Sequence, residues 1–116
     1  MENRIIFDYL AFSSTIDSPD SIIKLLGLSD DIVSSMQCIK GCYGYCHRLY
    51  FDGISIHFNG ADNMGICLEL SGKGCRNFEQ FGNGYYNALF NYICENKEVN
   101  ITRLDVAYDD FNKLLD

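Results

Sequence analysis

The chain has 116 residues, 47% of them hydrophobic and 22% charged, which is the composition of one soluble globular domain. Sixteen acidic against nine basic residues give a net charge of −7. This balance argues against a module that holds nucleic acid by its overall charge, but it allows a site that works through a divalent cation.

The sequence predicts neither a membrane span nor a secretory leader. No apolar run approaches the roughly 20 residues of a transmembrane helix. The N-terminus, MENRIIFDYL, has an acidic residue inside its first apolar segment and lacks a small-residue cleavage site. We therefore expect a cytoplasmic protein.

Six cysteines are spread along the chain, at Cys38, Cys42, Cys46, Cys67, Cys75 and Cys94. The first three are four residues apart and His47 follows the third, a pattern that invites a zinc or iron–sulfur interpretation. Zinc sites, however, usually have cysteine pairs about two to four residues apart and a second pair further on, which the remaining cysteines do not form. We expect buried, reduced thiols instead.

The first third of the chain predicts a strand followed by two helices. Arg4–Ser13 is rich in β-branched and aromatic residues over the length of a strand. Ser18 and Pro19 then provide an N-cap and a proline at the first helical position, and Gly27 is typical of a helix end. A second short helix, capped by its first residue, is expected at Ser29–Cys38.

The middle of the chain changes to a period of two, which predicts three consecutive strands: Tyr45–Phe51, Ile54–Phe58 and Met64–Ser71. The Asp52-Gly53 dipeptide suits a tight hairpin between the first two strands, and a longer loop, 59–63, joins the next pair. Apolar and polar residues alternate along these strands. Such alternation is typical of an antiparallel sheet that is covered on one side.

The last third predicts a turn at Gly72–Gly74, a helical turn at Cys75–Phe81 and an amphipathic helix at Tyr85–Asn96. The closing strand is Ile101–Asp110. Its apolar side, toward the helices, has Leu104, Val106 and Tyr108; its other side has Arg103, Asp105, Ala107 and Asp109. The order βα(α)βββααβ predicts a single α+β domain over residues 1–116, an antiparallel sheet of about five strands with helices on one face.

The uncovered face of this sheet collects acidic side chains. Asp105 and Asp109 project to one side of the closing strand, and Glu69 and His57 fall on the wet faces of other strands. Carboxylate oxygens suit Mg²⁺ or Mn²⁺, and a nearby imidazole favours Mn²⁺ or another transition ion. The spacing alone is more often that of a merely solvated face, so both interpretations stay open.

Two separated motifs carry a family resemblance: LELSGKGCR at 68–76 and RLDVAYDD at 103–110. Together with IIFDYLAF at 5–12 and FDGISI at 51–56, they resemble the replication initiation factor family. Its members are the initiators of rolling-circle plasmids and the related relaxases of conjugative transposons. The resemblance extends over nearly the whole chain but corresponds to the N-terminal portion of these proteins.

The resemblance implies an HUH-like sheet, a sandwich of the ferredoxin-like kind, in a metal-dependent enzyme that nicks and rejoins one DNA strand at an origin. In that chemistry a divalent cation polarises the scissile phosphate and a tyrosine hydroxyl attacks it. Asp105 and Asp109 become the expected Mg²⁺ or Mn²⁺ ligands, with Glu69 next and His57 a further candidate. The expected partner is origin DNA, as a single strand or a hairpin, contacted by Arg103, Arg76 and Lys73.

The family's nucleophilic tyrosine lies downstream of the RLD strand, in a segment for which this chain has no match. We therefore expect a domain that holds part of a cofactor site and does not cut DNA by itself. The alternatives are a non-catalytic module that binds DNA or a partner protein through its sheet, and a protein whose acidic face is only solvated. An exposed sheet edge also predicts a homodimer, through an edge strand or through Phe111–Leu115.

Overall fold

The computed structural model describes the backbone of residues 3–110 and the side chains of residues 5–107. In this part of the chain, six antiparallel strands form one sheet in the order β2-β3-β4-β5-β1-β6, with helices packed on one face. No helix in this range is long and apolar enough to cross a membrane. The elements are β1 (Asn3–Ser14), α1 (Pro19–Leu26), α2 (Asp30–Ser35), β2 (Gln37–Lys40), β3 (His47–Phe51), β4 (Ile54–Phe58), β5 (Ile66–Leu70), α3 (Gly72–Phe81), α4 (Tyr86–Glu95) and β6 (Val99–Asp110).

The predicted α+β class is confirmed, but the described sheet has six strands where about five were expected. The additional strand is β2, at the end of the segment predicted as a second helix. Ser29 caps α2 as expected, but the helix ends at Ser35, and Gln37–Lys40 pair with β3. The prediction was wrong here because the ladder with β3 satisfies the same backbone groups as a further helical turn, and a local pattern does not reveal a distant partner.

Both predicted ends of α1 are confirmed. The side chain of Ser18 accepts a hydrogen bond from the backbone N–H of Ser21, whose hydroxyl accepts one from the backbone N–H of Ser18. At the other end, Gly27 has a φ of +66°, a left-handed conformation that costs glycine least. Between these caps, the helix buries Ile22 and Leu26 against the sheet.

The hydrophobic core lies between the helices and one face of the sheet. Along β1, Leu10 and Phe12 are fully buried in this core, whereas Ala11 and Ser13 alternate onto the opposite face. Each fully buried aliphatic or aromatic side chain contributes roughly 1.5–3 kcal/mol. The other large, fully buried apolar side chains are Ile22, Leu26, Ile54, Ile56, Ile66, Leu68, Leu70, Phe78 and Leu89.

The glycines predicted as a turn, Gly72–Gly74, form the first turn of α3 instead. Ser71 caps this helix, its hydroxyl oxygen accepting a hydrogen bond from the backbone N–H of Gly74. The prediction was wrong because a good N-cap in front of the glycines outweighs their low helix propensity. A Cβ at Gly74 would overlap the carbonyl oxygen of Gly53, so this glycine allows the helix to approach the β3–β4 turn closely.

All six cysteines are free thiols, and the expectation that they are buried holds for two of them, Cys67 and Cys75. It was wrong for the others because these lie on the outer side of β2, in the turn after it and on α4, where no neighbouring element covers them. The exposed thiols are Cys38, Cys42, Cys46 and Cys94. Within residues 5–107, no three His, Cys, Asp or Glu side chains are arranged to hold a metal ion.

We expect Gly74→Ala to destabilise the folded state by about 1–3 kcal/mol, because the added methyl group must displace the backbone of Gly53. Gly72→Ala is the matched control in the same helical turn. There the nearest atom to an added Cβ is the carbonyl oxygen of Asp8 at 3.4 Å, an ordinary contact, and alanine is the better helix former. Urea unfolding measures both variants; equal stabilities would contradict the close-approach role of Gly74.

Candidate functional site

The face of the sheet away from the helices gathers polar side chains from neighbouring strands. Glu69 of β5 lies opposite Ala11 of β1, and Ala11 lies opposite Arg103 of β6. On the other side, His57 of β4 lies opposite Cys67, diagonal to Glu69. Residues directly opposite each other share a face. We refer to the face that these five residues define as the open face.

The carboxylate of Glu69 accepts three hydrogen bonds on the open face. Its Oε2 accepts from the hydroxyl groups of Tyr9 (2.7 Å) and Tyr43 (3.0 Å), and its Oε1 lies 2.6 Å from Nε2 of His57. Burial by itself raises the pKa of Glu69, but the three donors outweigh it, and the net pKa lies below its ordinary value. Glu69 is therefore a carboxylate at neutral pH, although its side chain is only 14% exposed.

His57 holds this carboxylate in place. Its side chain is entirely buried, and the backbone N–H of Cys42 donates to its Nδ1 at 3.2 Å. Because Nδ1 accepts, the proton of the neutral ring lies on Nε2, which donates to Glu69. Both ring nitrogens are engaged, so His57 orients Glu69 and offers no free nitrogen to a ligand.

Tyr43 reaches Glu69 from the turn between β2 and β3. The backbone N–H of Gly41 donates to the carbonyl oxygen of Cys46, which closes this turn. Tyr43 has a φ of +60°, a left-handed conformation that is uncommon outside glycine. Its ring stands edge-on to His57 with the ring centroids 5.5 Å apart, yet 68% of the residue is exposed. The turn thus presents a fixed aromatic ring to the solvent.

Arg103 and Asp105 form the β6 side of the site. The Arg103 guanidinium donates to Oδ2 of Asp105 at 2.7 Å and lies over the ring of Tyr9, with Cζ 4.0 Å from the ring centroid. Asp105 is directly opposite Tyr9 in the β1–β6 register. A register shift between Phe7 and Tyr9 allows Phe7 to pack against the helices, on the ring of Tyr86, while Tyr9 lies on the open face. The first and last strands of the described chain therefore meet at this site.

A cavity of about 450 Å³ opens between the Tyr43 turn and β6. This volume lies in the range of about 300–1,000 Å³ that is typical of small-molecule pockets. Burial raises the pKa of Cys67 to about 11, so this lining thiol is uncharged at neutral pH. The walls are Tyr9, Ala11, Ser13, Tyr43, Tyr45, Met64, Cys67, Glu69, Thr102 and Arg103.

Comparison with known proteins connects this arrangement to one family, because the family model of the rolling-circle replication initiation protein N-terminal domain matches residues 4–93. The chain belongs to the rolling-circle replication initiator family. A structure of the rolling-circle replication initiator protein from Geobacillus stearothermophilus matches with a TM-score of 0.79 and 32% identity, covering 98% of this chain and 49% of that one. A Bacillus subtilis (strain 168) protein, provisionally named DNA relaxase NicK, is 34% identical over 107 residues.

The initiator match confirms the resemblance drawn from the two motifs, and both motifs contribute to the site. LELSGKGCR supplies Glu69 and the cap of α3, and RLDVAYDD supplies Arg103 and Asp105. The family match is to an N-terminal domain, and the alignment covers 89% of this chain but 30% of the Bacillus relative. The chain therefore spans about half or less of the length of these relatives.

Four of the residues predicted for this initiator site come together on the open face: Glu69, His57, Arg103 and Asp105. Glu69 and Arg103 both contact Tyr9, which links the β5 and β6 sides of the group. The side chain of Asp109 lies outside the described residues.

Arg76 and Lys73, predicted as DNA contacts, lie on α3, which packs on the opposite face of the sheet. Arg76 donates to Glu79 and to the backbone carbonyl oxygen of Phe7, and Lys73 pairs with Asp52. The structure thus gives these two cations partners on the helix side and does not bring them to the open face.

Glu69 and Asp105 offer the oxygen donors that a hard divalent cation prefers, but their present partners compete with one. Glu69 accepts from three donors, Asp105 pairs with Arg103, and no three ligating side chains converge within residues 5–107. Mg²⁺ commonly binds through one or two carboxylates together with water and substrate phosphates. Within residues 5–107 these carboxylates therefore do not form a metal site by themselves, and a cation here would need oxygen ligands from elsewhere.

The sequence prediction missed the tyrosines around Glu69. Tyr9 carries a detectable signal, because it alternates with Ala11 and Ser13 on the face of β1 that lies away from the helices. Tyr43 lies in a glycine-flanked segment whose pattern indicates only a turn. No local signal shows that this turn folds onto a carboxylate that lies 26 residues further along the chain.

We expect Glu69→Gln to destabilise the fold at pH 7 by about 1–3 kcal/mol, because a neutral amide cannot satisfy all three donors. The lowered pKa of Glu69 means that the carboxylate contributes fully above its unfolded pKa of about 4.3. That contribution is lost as the pH falls through the lower folded pKa. Urea unfolding at several pH values measures the difference in unfolding free energy between wild type and variant. This difference should become smaller at acid pH.

Glu95→Gln, at the exposed end of α4, removes the same charge and should change the stability by less than about 0.5 kcal/mol. The role given to the Glu69 carboxylate would be contradicted if the difference in unfolding free energy between Glu69→Gln and wild type stayed constant down to strongly acid pH.

Proposed function

We propose that this initiator-family domain supplies the metal-holding part of a site that nicks and rejoins one strand of origin DNA. The observation that carries the proposal is the position of Glu69, a carboxylate that three donors hold ionised on the open face. Asp105, of the RLD motif, lies on the same face. Carboxylates so placed can hold a cation that polarises a scissile phosphate.

Asp105, Asp109 and Glu69 are the proposed ligands of Mg²⁺ or Mn²⁺. Water and phosphate oxygens of bound DNA would have to supply the remaining ligands, as they commonly do for Mg²⁺ in nucleotide-processing sites. His57 is proposed to act through Glu69, since an outer hydrogen bond orients a carboxylate ligand. When bound, the ion supplies Lewis-acid activation of the phosphate.

The proposed substrate is a single-stranded or hairpin segment of origin DNA, from a plasmid or a conjugative element, lying across the open face. A net charge of −7 provides little general affinity for phosphates. Binding should therefore be weak and depend on Arg103 and on the metal ion. We place this activity in the cytoplasm, where six free thiols stay reduced.

A non-catalytic module that binds DNA or a partner protein through the open face is the second candidate. The saturation of Glu69 favours it, because a carboxylate that already accepts three hydrogen bonds must exchange one of them to bind a cation. The two candidates differ in whether a metal ion binds at Asp105 and Glu69.

We expect Mn²⁺ or Mg²⁺ at millimolar concentration, with a single-stranded oligonucleotide present, to raise the melting temperature by a few degrees, on the order of 1 kcal/mol of binding. Asp105→Asn and Glu69→Gln should abolish the rise. Asp31→Asn, an exposed acid at the start of α2, is the control with the same change of charge. An equal rise in all variants would show diffuse surface binding, and no rise at all would leave the non-catalytic candidate.

We also propose that the 116-residue chain does not cut DNA alone. Burial raises the pKa of Tyr9, and the hydrogen bond to Glu69 raises that of Tyr43, so neither hydroxyl is ionised at neutral pH, and both are engaged with the proposed metal ligand Glu69. Incubation with circular single-stranded DNA and Mn²⁺ should produce neither linear DNA nor a covalent adduct that resists denaturation. An adduct lost in Tyr43→Phe or Tyr9→Phe would overturn this proposal.

We further propose a homodimer through the β6 edge of the sheet. The helix layer covers this end of the sheet incompletely: Ile101, Leu104 and Val106 of β6 and Ile5 of the neighbouring β1 are between 40% and 59% exposed. Light scattering should give twice the monomer mass for the wild type and the monomer mass for Val106→Lys. Ile16→Lys changes a similarly exposed residue outside β6, and this variant should stay dimeric. A wild type that is monomeric at high concentration would contradict the proposed dimer. The other predicted contact, Phe111–Leu115, lies outside the described residues.

A further inference from the structure

We infer that the cavity on the open face is a nucleobase pocket, which takes one unstacked base of single-stranded DNA beside the phosphate held at the site. This inference rests on the proposed function, in which DNA lies across the open face. It adds that the domain binds the strand through a base as well as through phosphates.

The first wall of the pocket is a fixed aromatic ring. Tyr43 is 68% exposed, but its hydroxyl is tied to Glu69 and its ring rests edge-on against His57. A ring that two contacts already orient loses less conformational entropy when a ligand binds than an unconstrained ring does. Aromatic side chains held in this way are the platforms on which single-stranded nucleic acid stacks.

A second planar surface of the lining is the guanidinium of Arg103, which stacks over the ring of Tyr9. A planar guanidinium can lie against a base and still donate hydrogen bonds to a phosphate at the rim. This surface and Tyr43 both line the same cavity of about 450 Å³. The lining thus contains two planar groups on which a base can stack.

The charges of the lining decide which part of a nucleotide enters. Arg103 is paired with Asp105, and the other lining residues are neutral or, at Glu69, acidic, so the cavity itself offers no unpaired positive charge to a phosphate group, whereas a neutral base can enter. The backbone of the strand is left at the rim, near Arg103. The hydroxyl groups of Ser13 and Thr102 each donate and accept, so the pocket should accept different bases.

Two oligonucleotides of equal length and charge separate base binding from phosphate binding: an oligothymidylate and a chain of abasic residues. Fluorescence anisotropy at low ionic strength, with Mn²⁺, measures their affinities for the 116-residue chain. We expect the wild type to prefer the oligothymidylate by roughly 5- to 150-fold, which is the contribution of one base stacked on an aromatic ring. Tyr43→Ala should lose most of this preference, measured as the ratio of the two affinities, because that ratio cancels any effect of the lost hydrogen bond to Glu69 on phosphate binding.

Tyr43→Phe keeps the ring and should retain the preference. Tyr85→Ala is the matched control, because Tyr85 is 69% exposed but lies before α4, away from the open face. Circular dichroism and thermal melting establish that the variants fold. A Tyr43→Ala protein that keeps the preference, or loses affinity equally for both chains, overturns the pocket while DNA binding on the open face survives. A wild type that binds neither chain overturns the proposed function as well.

Discussion

β1 is hydrogen-bonded along both of its edges, to β5 and to β6, and the open face depends on these two ladders. Glu69 and Arg103 belong to motifs that are far apart in the sequence, yet each lies opposite Ala11 of β1. Leu10 and Phe12, on the other side of the same strand, are fully buried under the helices. A slip of one residue would bring them into water and turn the open face inward, so the core also determines the register of the site.

The ionisation of Glu69, on the open face of this sheet, depends on two opposing effects. Burial disfavours an ionised Glu69, and the donors from Tyr9, Tyr43 and His57 more than compensate. The result is a charge that is prepared before any ligand arrives, on a side chain that the surrounding hydrogen bonds keep from moving. The same bonds restrict what Glu69 can do next, since a cation or a DNA group must replace a partner that already contributes to stability.

Much of the architecture was readable from local chemistry. The serine caps of α1 and α2, the glycine at the end of α1 and the period of two along β4 and β5 act over a few residues, and each was predicted where it occurs. The two wrong predictions of secondary structure concern segments whose structure depends on groups outside the segment itself. Gln37–Lys40 became a strand because β3 pairs with it, and Gly72–Gly74 became helical because Ser71 caps the turn and Gly53 leaves room only for a glycine at position 74.

The sequence by itself determined the fold class, the family motifs and the strands that present Glu69, Arg103 and Asp105, because strand alternation and motif order are properties of the chain. Only the tertiary structure decided what these side chains touch. It placed Arg76 and Lys73 on the far side of the sheet, gave His57 a buried role behind Glu69 and folded Tyr43 onto the carboxylate. These contacts join residues from separate elements, and such contacts depend on how the sheet and its turns pack, which no local pattern records.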